Sequence, residues 1–397
     1  MRKSVALLLV LVFLTASSIM VAKPVFSSVE ATEDTWAAKA PMHQARAGLG
    51  VAVVNGKIYA IGGMVLKYQD RFRTESVDVA TNEEYDPSTD TWAFKAPMPT
   101  PNSAFVTAVY QDLIYCIGGS MNIVYNPAND TWKTKTPMPI ARTCWGANVA
   151  NGKIYVLGGL SNDTFNEVYD PATDTWTTKE SIPTQSGGCS GVFNDKIYVI
   201  GSKFEQGYFD ELDHYVPGNH TSFTQIYDPA TDAWSTGASP PILFKTASVC
   251  VTTGVMASRR MYVFSNPNTA PNASLHINQV YDPETDSWAS GAAVPTSRER
   301  FATAAVDDLI YVIGGFAITY PDMSYWSTGG VLNYFSTVEQ YTPFGYGTPD
   351  PSSSSPATTP PNNVQETFPV VPVAAASVGS VIVVGVGLLV YFKKRKH

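Results

Sequence analysis

Apolar and polar residues alternate in short runs along the middle of the chain, and residues 142–176 contain one complete unit of this pattern. An apolar run ends in IYVLGG (154–159), a polar loop follows, and a second run ends in VYDP (168–171) before a turn leads to DTW (174–176). Short runs bounded by glycine, proline and aspartate are typical of β-strands joined by turns. The unit predicts a four-stranded sheet, which cannot bury both faces alone and so requires neighbouring sheets.

The same pattern recurs six times between residues 33 and 344. Its first strand occupies residues 58–63, 114–119, 154–159, 197–202, 261–266 and 310–315. Its second strand carries a tyrosine with a proline two positions later, and these tyrosines are Tyr85, Tyr125, Tyr169, Tyr227, Tyr281 and Tyr341. The first five tyrosines have a tryptophan seven positions later, namely Trp92, Trp132, Trp176, Trp234 and Trp288. Six sheets with the same construction are therefore expected.

Each recurring residue type has a physical role in such a sheet. Paired glycines let the chain turn tightly and let two backbones approach closely. Proline presets φ in the turn after the tyrosine, and aspartate or threonine side chains there bond local backbone amides. Tyrosine and tryptophan supply large buried surfaces and retain one polar atom for a hydrogen bond.

The glycine pair, tyrosine and tryptophan, repeated with a period of about 50 residues, resemble the kelch-repeat family. The resemblance covers roughly residues 33–344 and implies an all-β fold, a six-bladed kelch-type β-propeller. The glycine pair is replaced by Gly201-Ser202 in the fourth unit and by Ser265-Asn266 in the fifth. We expect those two blades to be distorted at this point rather than absent.

The two ends of the repeat region complement each other. Trp36 has no Tyr-Asp-Pro strand before it, and Tyr341 has no tryptophan seven positions later because position 348 is threonine. We therefore predict that the N-terminal segment forms the outer strand of the last blade. That pairing would close the ring and leave no free sheet edge between the first and last blades.

The segments outside the repeats predict export and membrane anchoring. Residues 1–22 have the basic, apolar and small-residue layout of a signal peptide, with cleavage expected within 18–31. Residues 370–392 contain no charge and are long enough to span a bilayer as one transmembrane helix.

The residues that flank this helix give its expected orientation. The basic segment 393–397 predicts a cytoplasmic tail, and residues 345–369, rich in proline, serine and threonine, predict an extended stalk. The expected location is the cell membrane, with a single-pass anchor and the propeller outside the cell.

Charge argues against one class of partner. The chain has a formal charge of −8, and its terminal segments contribute six of the 26 basic side chains. The remaining residues are therefore markedly acidic, which excludes nucleic-acid binding through a basic surface.

Long connections point to a ligand-binding surface. We label the strands of each blade a to d from the axis outward, so that the b–c and d–a connections share one face of the ring. The b–c connections of blades 1 and 6 are long and aromatic, and these blades are neighbours in a closed ring. We predict ligand binding there by Tyr68, Arg71, Tyr325 and Trp326, with a small apolar core under the loops as the alternative.

Arginines recur at the expected start of strand a. Arg46, Arg142 and Arg298 lie 13 positions before the first-strand tyrosine, and Arg300 is close by. Kelch domains that recognise acidic peptides use arginines at the matching place, so the resemblance implies a binding role for Arg46, Arg142 and Arg298. Aromatic loops together with guanidinium groups predict a glycan or acidic-peptide ligand. The alternative is that these arginines bond loop carbonyls.

Four Asn-X-Ser/Thr sequons mark candidate glycosylation sites, at Asn129, Asn162, Asn219 and Asn272. Three of them fall in the b–c connections of blades 3, 4 and 5, whereas those of blades 6 and 1 contain none. Glycans at these positions would leave the aromatic side of the face open.

The function predicted from these observations is a cell-surface binding or adhesion module with an extracellular glycan or protein ligand, and with no catalysis, cofactor or metal. One alternative is a sugar-processing enzyme resembling sialic-acid mutarotase, although no acid–base pair can be assigned. A second alternative is a structural envelope protein.

Two further groups of residues carry weaker signals. Asp210, Asp213, His214 and His220 are metal-ligand types, but their spacing matches no defined site and a solvated loop is the better interpretation. Cys144 and Cys189 are expected on adjacent inner strands, which leaves a disulfide between them open.

Overall fold

A computed structural model describes residues 33–70, 73–159, 164–184, 187–204, 208–209, 215–216, 219–267, 277–319 and 331–348. Within these residues the strands form six four-stranded antiparallel sheets and three two-stranded hairpins. The predicted all-β, six-bladed architecture is confirmed.

Blades 1 to 3 follow one another along the chain, each from the inner strand a to the outer strand d. Blade 1 consists of β2 (Gly50–Val54), β3 (Lys57–Ile61), β6 (Asn82–Asp86) and β7 (Thr91–Lys95). Blade 2 consists of β8 (Val106–Tyr110), β9 (Leu113–Gly118), β10 (Met121–Asn126) and β11 (Thr131–Thr134). Blade 3 consists of β12 (Gly146–Ala150), β13 (Lys153–Leu157), β14 (Asn166–Asp170) and β15 (Thr175–Thr178).

Blades 4 and 5 repeat this order, and blade 6 takes its outer strand from the N-terminal side of the chain. Blade 4 consists of β16 (Gly187–Phe193), β17 (Lys196–Phe204), β20 (His220–Asp228) and β21 (Ala233–Gly237). Blade 5 consists of β22 (Phe244–Val251), β23 (Met261–Pro267), β24 (Ile277–Asp282) and β25 (Ser287–Gly291). Blade 6 consists of β26 (Ala302–Val306), β27 (Leu309–Ile313), β30 (Val338–Thr342) and β1 (Thr35–Lys39).

Three hairpins extend the b–c connections. They are β4 (Met64–Asp70) with β5 (Arg73–Asp78) in blade 1, β18 (Tyr208–Phe209) with β19 (Tyr215–Val216) in blade 4, and β28 (Phe316–Thr319) with β29 (Val331–Tyr334) in blade 6. We call the side of the ring that carries the b–c and d–a connections the hairpin face.

The N-terminal strand closes the ring as predicted. β1 pairs antiparallel with β30, and the register sets Trp36 opposite Tyr341. The resulting sheet order β1–β30–β27–β26 has the same four strands as the other blades. The missing tryptophan of the last blade is therefore Trp36.

The core consists of six apolar clusters, one between each pair of adjacent blades. Between blades 6 and 1, for example, Ile58 and Tyr85 pack with Tyr311 and Val338. The tyrosines of all six c strands are fully buried. Because every blade buries both faces against neighbours, the stability of each depends on the closed ring.

A repeated set of hydrogen bonds clips each outer strand to the preceding blade. In blade 1, Asp90 Oδ1 accepts from the Tyr85 phenol at 2.6 Å and from the Ala40 backbone N–H at 2.8 Å. The Trp92 indole donates to the Ala40 carbonyl at 2.8 Å. The same bonds recur around Asp130, Asp174, Asp232, Asp286 and Asp34. These aspartates have φ between 51° and 57°, a region that aspartate tolerates better than most residues.

The two blades without a glycine pair differ from each other. In blade 4 the pairing of β17 with β20 continues without interruption through Ser202 as far as Phe204, so the expected distortion is absent there. The paired glycines of blade 1, Gly62 and Gly63, have φ of 58° and 95° and end the ladder, whereas a side chain at position 202 favours continued strand. In blade 5 the register of β22 against β23 shifts between Phe244 and Ala247.

Several predicted segments lie outside the described residues. These are the signal peptide (1–22), the stalk beyond Thr348, the transmembrane helix (370–392) and the basic tail (393–397). Within the described part of the chain, no helix has the length and apolar character needed to cross a membrane.

Candidate functional site

Two long b–c hairpins, from blades 1 and 6, meet on the hairpin face. The hydroxyls of Ser76 in β5 and Tyr334 in β29 lie 2.8 Å apart and share a hydrogen bond. The hairpins start directly after Gly63 and Gly315, whose φ values of 95° and 104° turn the chain out of the blades. The meeting of these hairpins agrees with the convergence predicted from loop length and ring closure.

The register of the blade 6 hairpin gives it one apolar face. Phe316 pairs with Tyr334 and Ile318 pairs with Leu332, so these four side chains share a side of the two-stranded sheet. The Phe316 and Tyr334 rings lie 5.8 Å apart. Ile318 is nonetheless 46% exposed. An aliphatic side chain is thus available to a ligand on the side of the hairpin that carries Tyr334.

The space between the hairpins, here called the hairpin cleft, is a cavity of about 390 Å³. It is lined by Gln44, Ala45, Val65, Leu66, Leu332, Asn333 and Tyr334. None of these lining residues carries a charge. Cavities of this size and of mixed apolar and amide character are typical of ligand-binding sites.

Gln44 and Asn333 both contribute to the lining, but the register places the Asn333 side chain on the opposite side of its hairpin from Leu332 and Tyr334. Gln44 Oε1 accepts from the Thr81 hydroxyl at 2.7 Å. Asn333 Nδ2 donates to the Thr319 hydroxyl at 3.0 Å. Within the described residues, the Gln44 amide N–H groups and the Asn333 carbonyl oxygen have no further partner. The Gln44 amide N–H groups are therefore available to a ligand in the cleft, whereas the Asn333 carbonyl oxygen lies on the other side of the hairpin.

His43 directly precedes the cleft residue Gln44 in the chain and forms an aromatic pair with Phe94. The His43 ring stacks on Phe94 with centroids 4.6 Å apart, and Phe94 is 63% exposed. The His43 Nδ1 atom lies 2.7 Å from the carboxylate of the buried Glu83, which fixes the ring orientation.

The predicted channel-mouth arginines are buried within their blades. Arg46 and Arg298 are 0% and 1% exposed, and each guanidinium lies 2.9 Å from a glutamate, Glu83 and Glu339 respectively. Arg142 is paired with Glu167 in the same way.

These guanidinium groups also bond backbone carbonyls. Arg46 donates to the carbonyls of Gly62 and Thr81 at 2.7 Å and 2.9 Å. Burial lowers the Arg46 pKa, and the charge of Glu83 opposes that shift. Burial likewise lowers the pKa of Arg298 to about 10. The alternative in which these arginines bond loop carbonyls is what the structure shows, and their guanidinium groups do not face the hairpin cleft.

A glutamate two positions before the c-strand tyrosine is the signal that the sequence interpretation missed. Glu83, Glu167 and Glu339 occupy this position in blades 1, 3 and 6, the three blades that have the arginine. The same position holds Ile123, Gln225 and Gln279 in the blades that lack it. Arginine and glutamate therefore occur together, as expected for a buried pair.

The remaining predicted site residues are partly described. Arg300 is exposed on the hairpin face, with φ of 51°, and its carbonyl accepts from the Gly48 N–H at 2.8 Å. The backbone of Tyr68 lies in β4, but its side chain is outside the described part of the structure. Arg71, Tyr325 and Trp326 also lie outside the described residues.

Two of the four sequon asparagines are described, and both are exposed. Asn129 lies in the c–d turn of blade 2, where its Oδ1 accepts from the Thr131 hydroxyl at 2.5 Å. Asn219 immediately precedes β20. Asn162 and Asn272 lie outside the described residues, and glycosylation at all four positions stays a prediction.

The described residues that line the central channel are uncharged. Its wider part has a volume of about 520 Å³ and is lined by residues of the six a strands, among them Thr107, Asn148, Ser190, Ser248 and Thr303. Neighbouring side chains pair with each other, as Asn148 does with Ser190 at 2.7 Å and Ser248 with Thr303 at 2.8 Å. No charged side chain is among the described residues of this lining.

Among the described residues, no cluster of three or more His, Cys, Asp or Glu side chains could hold a metal ion. Most of the acidic loop of blade 4, including Asp210, Asp213 and His214, lies outside the described residues. None of Cys116, Cys144, Cys189 and Cys250 forms a disulfide, so Cys144 and Cys189 are not joined.

Comparison with known proteins identifies the repeat. The family model described as Kelch motif matches residues 45–99 and 141–181, which correspond to blades 1 and 3. The Influenza virus NS1A-binding protein homolog of Xenopus laevis is 46% identical over 80 residues, or 20% of this chain and 11% of that protein. The human Influenza virus NS1A-binding protein is 44% identical over 80 residues, with the same coverage.

A third relative, mouse Kelch-like protein 35, is 34% identical over 89 residues, or 22% of this chain and 14% of that protein. The matched segments thus span between 11% and 14% of the length of these three relatives. The similarity concerns the repeat unit, and most of the length of those proteins lies outside the matched part.

Proposed function

We propose that this kelch-repeat β-propeller is a binding module without catalytic activity, and that a macromolecular ligand occupies the hairpin cleft. The observation that supports this most strongly is the meeting of two hairpins, from opposite ends of the repeat region, around a cavity of about 390 Å³. Compact connections in other blades would suffice to build the ring. The length of these two connections is therefore better explained by binding than by folding.

The pairing of the arginines limits the chemical nature of the ligand. Arg46, Arg142 and Arg298 are paired with buried glutamates, so the acidic-ligand hypothesis loses three of its cations, whereas Arg300 is exposed on the hairpin face. A protein ligand is supported by the human relative, whose name states that it binds NS1A of influenza virus. A glycan is the second candidate and is favoured by the predicted aromatic residues Tyr325 and Trp326.

The site can be tested with two charge insertions. The purified chain would be screened on a glycan array and against a library of linear peptides, and each ligand would be retested with Leu332→Asp and Val255→Asp variants. Leu332 lines the cleft, whereas Val255 is 57% exposed in the a–b connection of blade 5, on the opposite face. We expect Leu332→Asp alone to abolish binding. Equal binding by both variants would refute the proposed site.

The main alternative is a sugar-processing enzyme resembling sialic-acid mutarotase. Its support came from four arginines expected at the channel mouth. Arg46, Arg142 and Arg298 are paired with glutamates inside the blades, and Arg300 is exposed. The described channel lining supplies no carboxylate, imidazole or amine for proton transfer. Turnover of sialic-acid anomers followed by NMR tests this alternative, and acceleration over the uncatalysed rate would overturn the binding proposal.

Membrane anchoring remains part of the proposal and rests on the sequence of the two termini. The described chain leaves the propeller on the face opposite the hairpins, where the Gly347 N–H donates to the Met256 carbonyl at 2.7 Å in the a–b connection of blade 5. A tether attached there would leave the hairpin face unobstructed. Release of the protein from the membrane fraction by truncation before residue 370 is the expected result, and unchanged fractionation would contradict it.

A further inference from the structure

We infer that the central channel holds a second ligand-binding site, and that its ligand is a small uncharged molecule with several hydroxyl groups, such as a free monosaccharide or another polyol. This site is separate from the hairpin cleft, because the two linings share no residue. Its existence therefore does not depend on the function proposed for the cleft.

A belt of small polar side chains surrounds the wider part of the channel. Five of the six blades contribute a hydroxyl or amide side chain from strand a, namely Thr107, Asn148, Ser190, Ser248 and Thr303. On the side of the hairpin face the lining is apolar and includes Leu49, Phe105 and Phe301. On the far side it is again apolar and includes Val251 and Ala305. A molecule that fits this space combines polar atoms at mid-depth with C–H surface on either side.

Asn148 is the residue of the belt that departs from the repeat. It lies opposite Tyr155, the b-strand tyrosine of its blade. The equivalent positions of the other five blades hold small residues, namely Ala52, Ala108, Gly191, Cys250 and Ala304. Asparagine is disfavoured in strands, and burying a carboxamide costs free energy unless its polar atoms are bonded. A blade can thus be built without this asparagine, and ligand binding explains its presence.

Only one half of the Asn148 amide is bonded within the described protein. Its Nδ2 donates to the Ser190 hydroxyl at 2.7 Å, whereas its Oδ1 has no partner among the described residues. Asn148 is 4% exposed and lines the channel, so this oxygen is open to a molecule in the channel. Between blades 5 and 6, Ser248 and Thr303 make the corresponding contact with two hydroxyls at 2.8 Å. Joining adjacent blades therefore requires no carboxamide, and the Asn148 carbonyl is left for a ligand.

The neighbouring groups of the belt have bonding capacity that suits hydroxyl groups. The Ser190 hydroxyl accepts from Asn148 and keeps its own proton to donate. Thr107 donates to the Val51 carbonyl at 2.6 Å, so its oxygen keeps its lone pairs as acceptors. Each alcohol group of a polyol both donates and accepts. Several such groups on one small molecule match donors and acceptors that come from different blades.

Other classes of small molecule fit the described lining less well. A charged ligand would lose its hydration without meeting an opposite charge, because the described lining residues are uncharged. A purely apolar ligand would leave the Asn148 carbonyl and the Ser190 hydroxyl unpaired away from water. A neutral polyol avoids both costs, and a volume of about 520 Å³ lies in the range of small-molecule sites.

The test titrates the full-length chain, in a detergent without a sugar headgroup, with D-glucose, D-galactose and myo-inositol, and measures binding by saturation-transfer NMR. D-Glucosamine and D-glucuronate are the charged controls. We expect at least one neutral compound to bind and neither charged compound to do so. In Asn148→Ala, which carries the side chain found at this position in blades 1, 2 and 6, the dissociation constant should rise at least about tenfold. Leu332→Asp, in the hairpin cleft, should leave it unchanged.

Thermal melting shows whether each variant is folded. If Asn148→Ala melts early, the isosteric Thr107→Val takes its place, since valine stands at the equivalent position of blade 1, Val51. Failure of all three neutral compounds to bind, equal binding of the charged compounds, or an unchanged dissociation constant in the folded variant would each overturn the channel site. None of these results would affect the proposal for the hairpin cleft. Loss of polyol binding in Leu332→Asp alone would place the polyol in the cleft and likewise overturn the channel site.

Discussion

Trp36 and Tyr341 lie at opposite ends of the described chain, yet they are paired across β1 and β30 with ring centroids 5.0 Å apart. In the other five blades the equivalent tyrosine and tryptophan stand seven positions apart, with centroids 4.8 to 5.0 Å apart. The last blade therefore reproduces through ring closure a contact that every other blade makes locally. The same closure brings the hairpins of blades 6 and 1 together.

The hydrogen bonds of Asp34, which attach the N-terminal strand to blades 5 and 6, give a first prediction. Asp34 accepts from the Tyr341 phenol at 2.7 Å and from the Ala292 N–H at 2.5 Å, as Asp90 does from Tyr85 and Ala40. Asp34→Ala should lower the free energy of unfolding by about 1–3 kcal/mol, because two donors lose their acceptor. Chemical denaturation measures this loss, and Asp90→Ala is the matched control. If Asp34→Ala has the unfolding free energy of the wild type while Asp90→Ala is destabilised, then β1 does not close the ring.

The aspartate–tyrosine hydrogen bonds of the blades also predict that acid destabilises the protein. The tyrosine phenol bonded to each carboxylate lowers the pKa of Asp90, Asp130, Asp174 and Asp232. A carboxylate with a lowered folded-state pKa contributes stability above its unfolded pKa of about 3.9, and this contribution is lost as the pH falls through the folded value. Stability should therefore decline as the pH falls below about 5. The midpoint of urea unfolding measured from pH 7 to pH 3 checks this.

One variant isolates the contribution of the Asp130–Tyr125 hydrogen bond to the loss of stability in acid. Asp130→Asn keeps an acceptor oxygen for the Tyr125 phenol but removes the titrating group. We expect a smaller decline in stability between pH 5 and pH 3 than in the wild type. An identical pH profile would show that this carboxylate does not couple folding to protonation.

The buried Arg46–Glu83 pair predicts a strong non-additivity. Arg46→Asn or Glu83→Ile alone should cost about 3–5 kcal/mol, because each leaves an unpaired buried charge. The double variant reproduces the residues of blade 2, Asn102 and Ile123, and should recover most of the loss. Unfolding free energies of the three variants form a double-mutant cycle. Additive effects would contradict the pairing seen in the structure.

The repeat architecture could be predicted from the sequence because its signals are local. Glycine pairs, tyrosines and tryptophans at fixed separations identify each blade, and the unpaired Trp36 and Tyr341 identify the closing strand. The convergence of the blade 1 and blade 6 connections then follows from topology alone.

The role of the arginines could not be predicted from their position in the repeat alone. Arg46 and Glu83 are distant in the chain, and the side on which a guanidinium lies depends on the packing of strands b and c. The contribution of Leu66 and Leu332 to the cleft could not be predicted either, because nothing in the sequence distinguishes them from apolar residues of other strands. Position within a repeat predicts the backbone site, whereas burial and partners depend on tertiary contacts.

The cysteines give a prediction about reactivity. Cys116, Cys189 and Cys250 are buried, and burial raises the pKa of Cys189 and Cys250 to about 12. Thiolates are the reactive form, so the native protein should react with a thiol reagent at pH 8 only through the partly buried Cys144. Mass spectrometry should detect no more than one modified site in the native protein and four after unfolding. Rapid native modification of Cys189 would contradict its burial.

Hydrogen exchange of the full-length chain, with and without a ligand obtained from the peptide or glycan screens, tests the central claim most directly. If the hairpin cleft is the binding site, ligand should slow amide exchange in residues 64–67 and 331–334. Exchange in the a–b and c–d turns of the opposite face should be unchanged. Protection confined to the channel-mouth residues or to the opposite face, with β4 and β29 unaffected, would contradict the account.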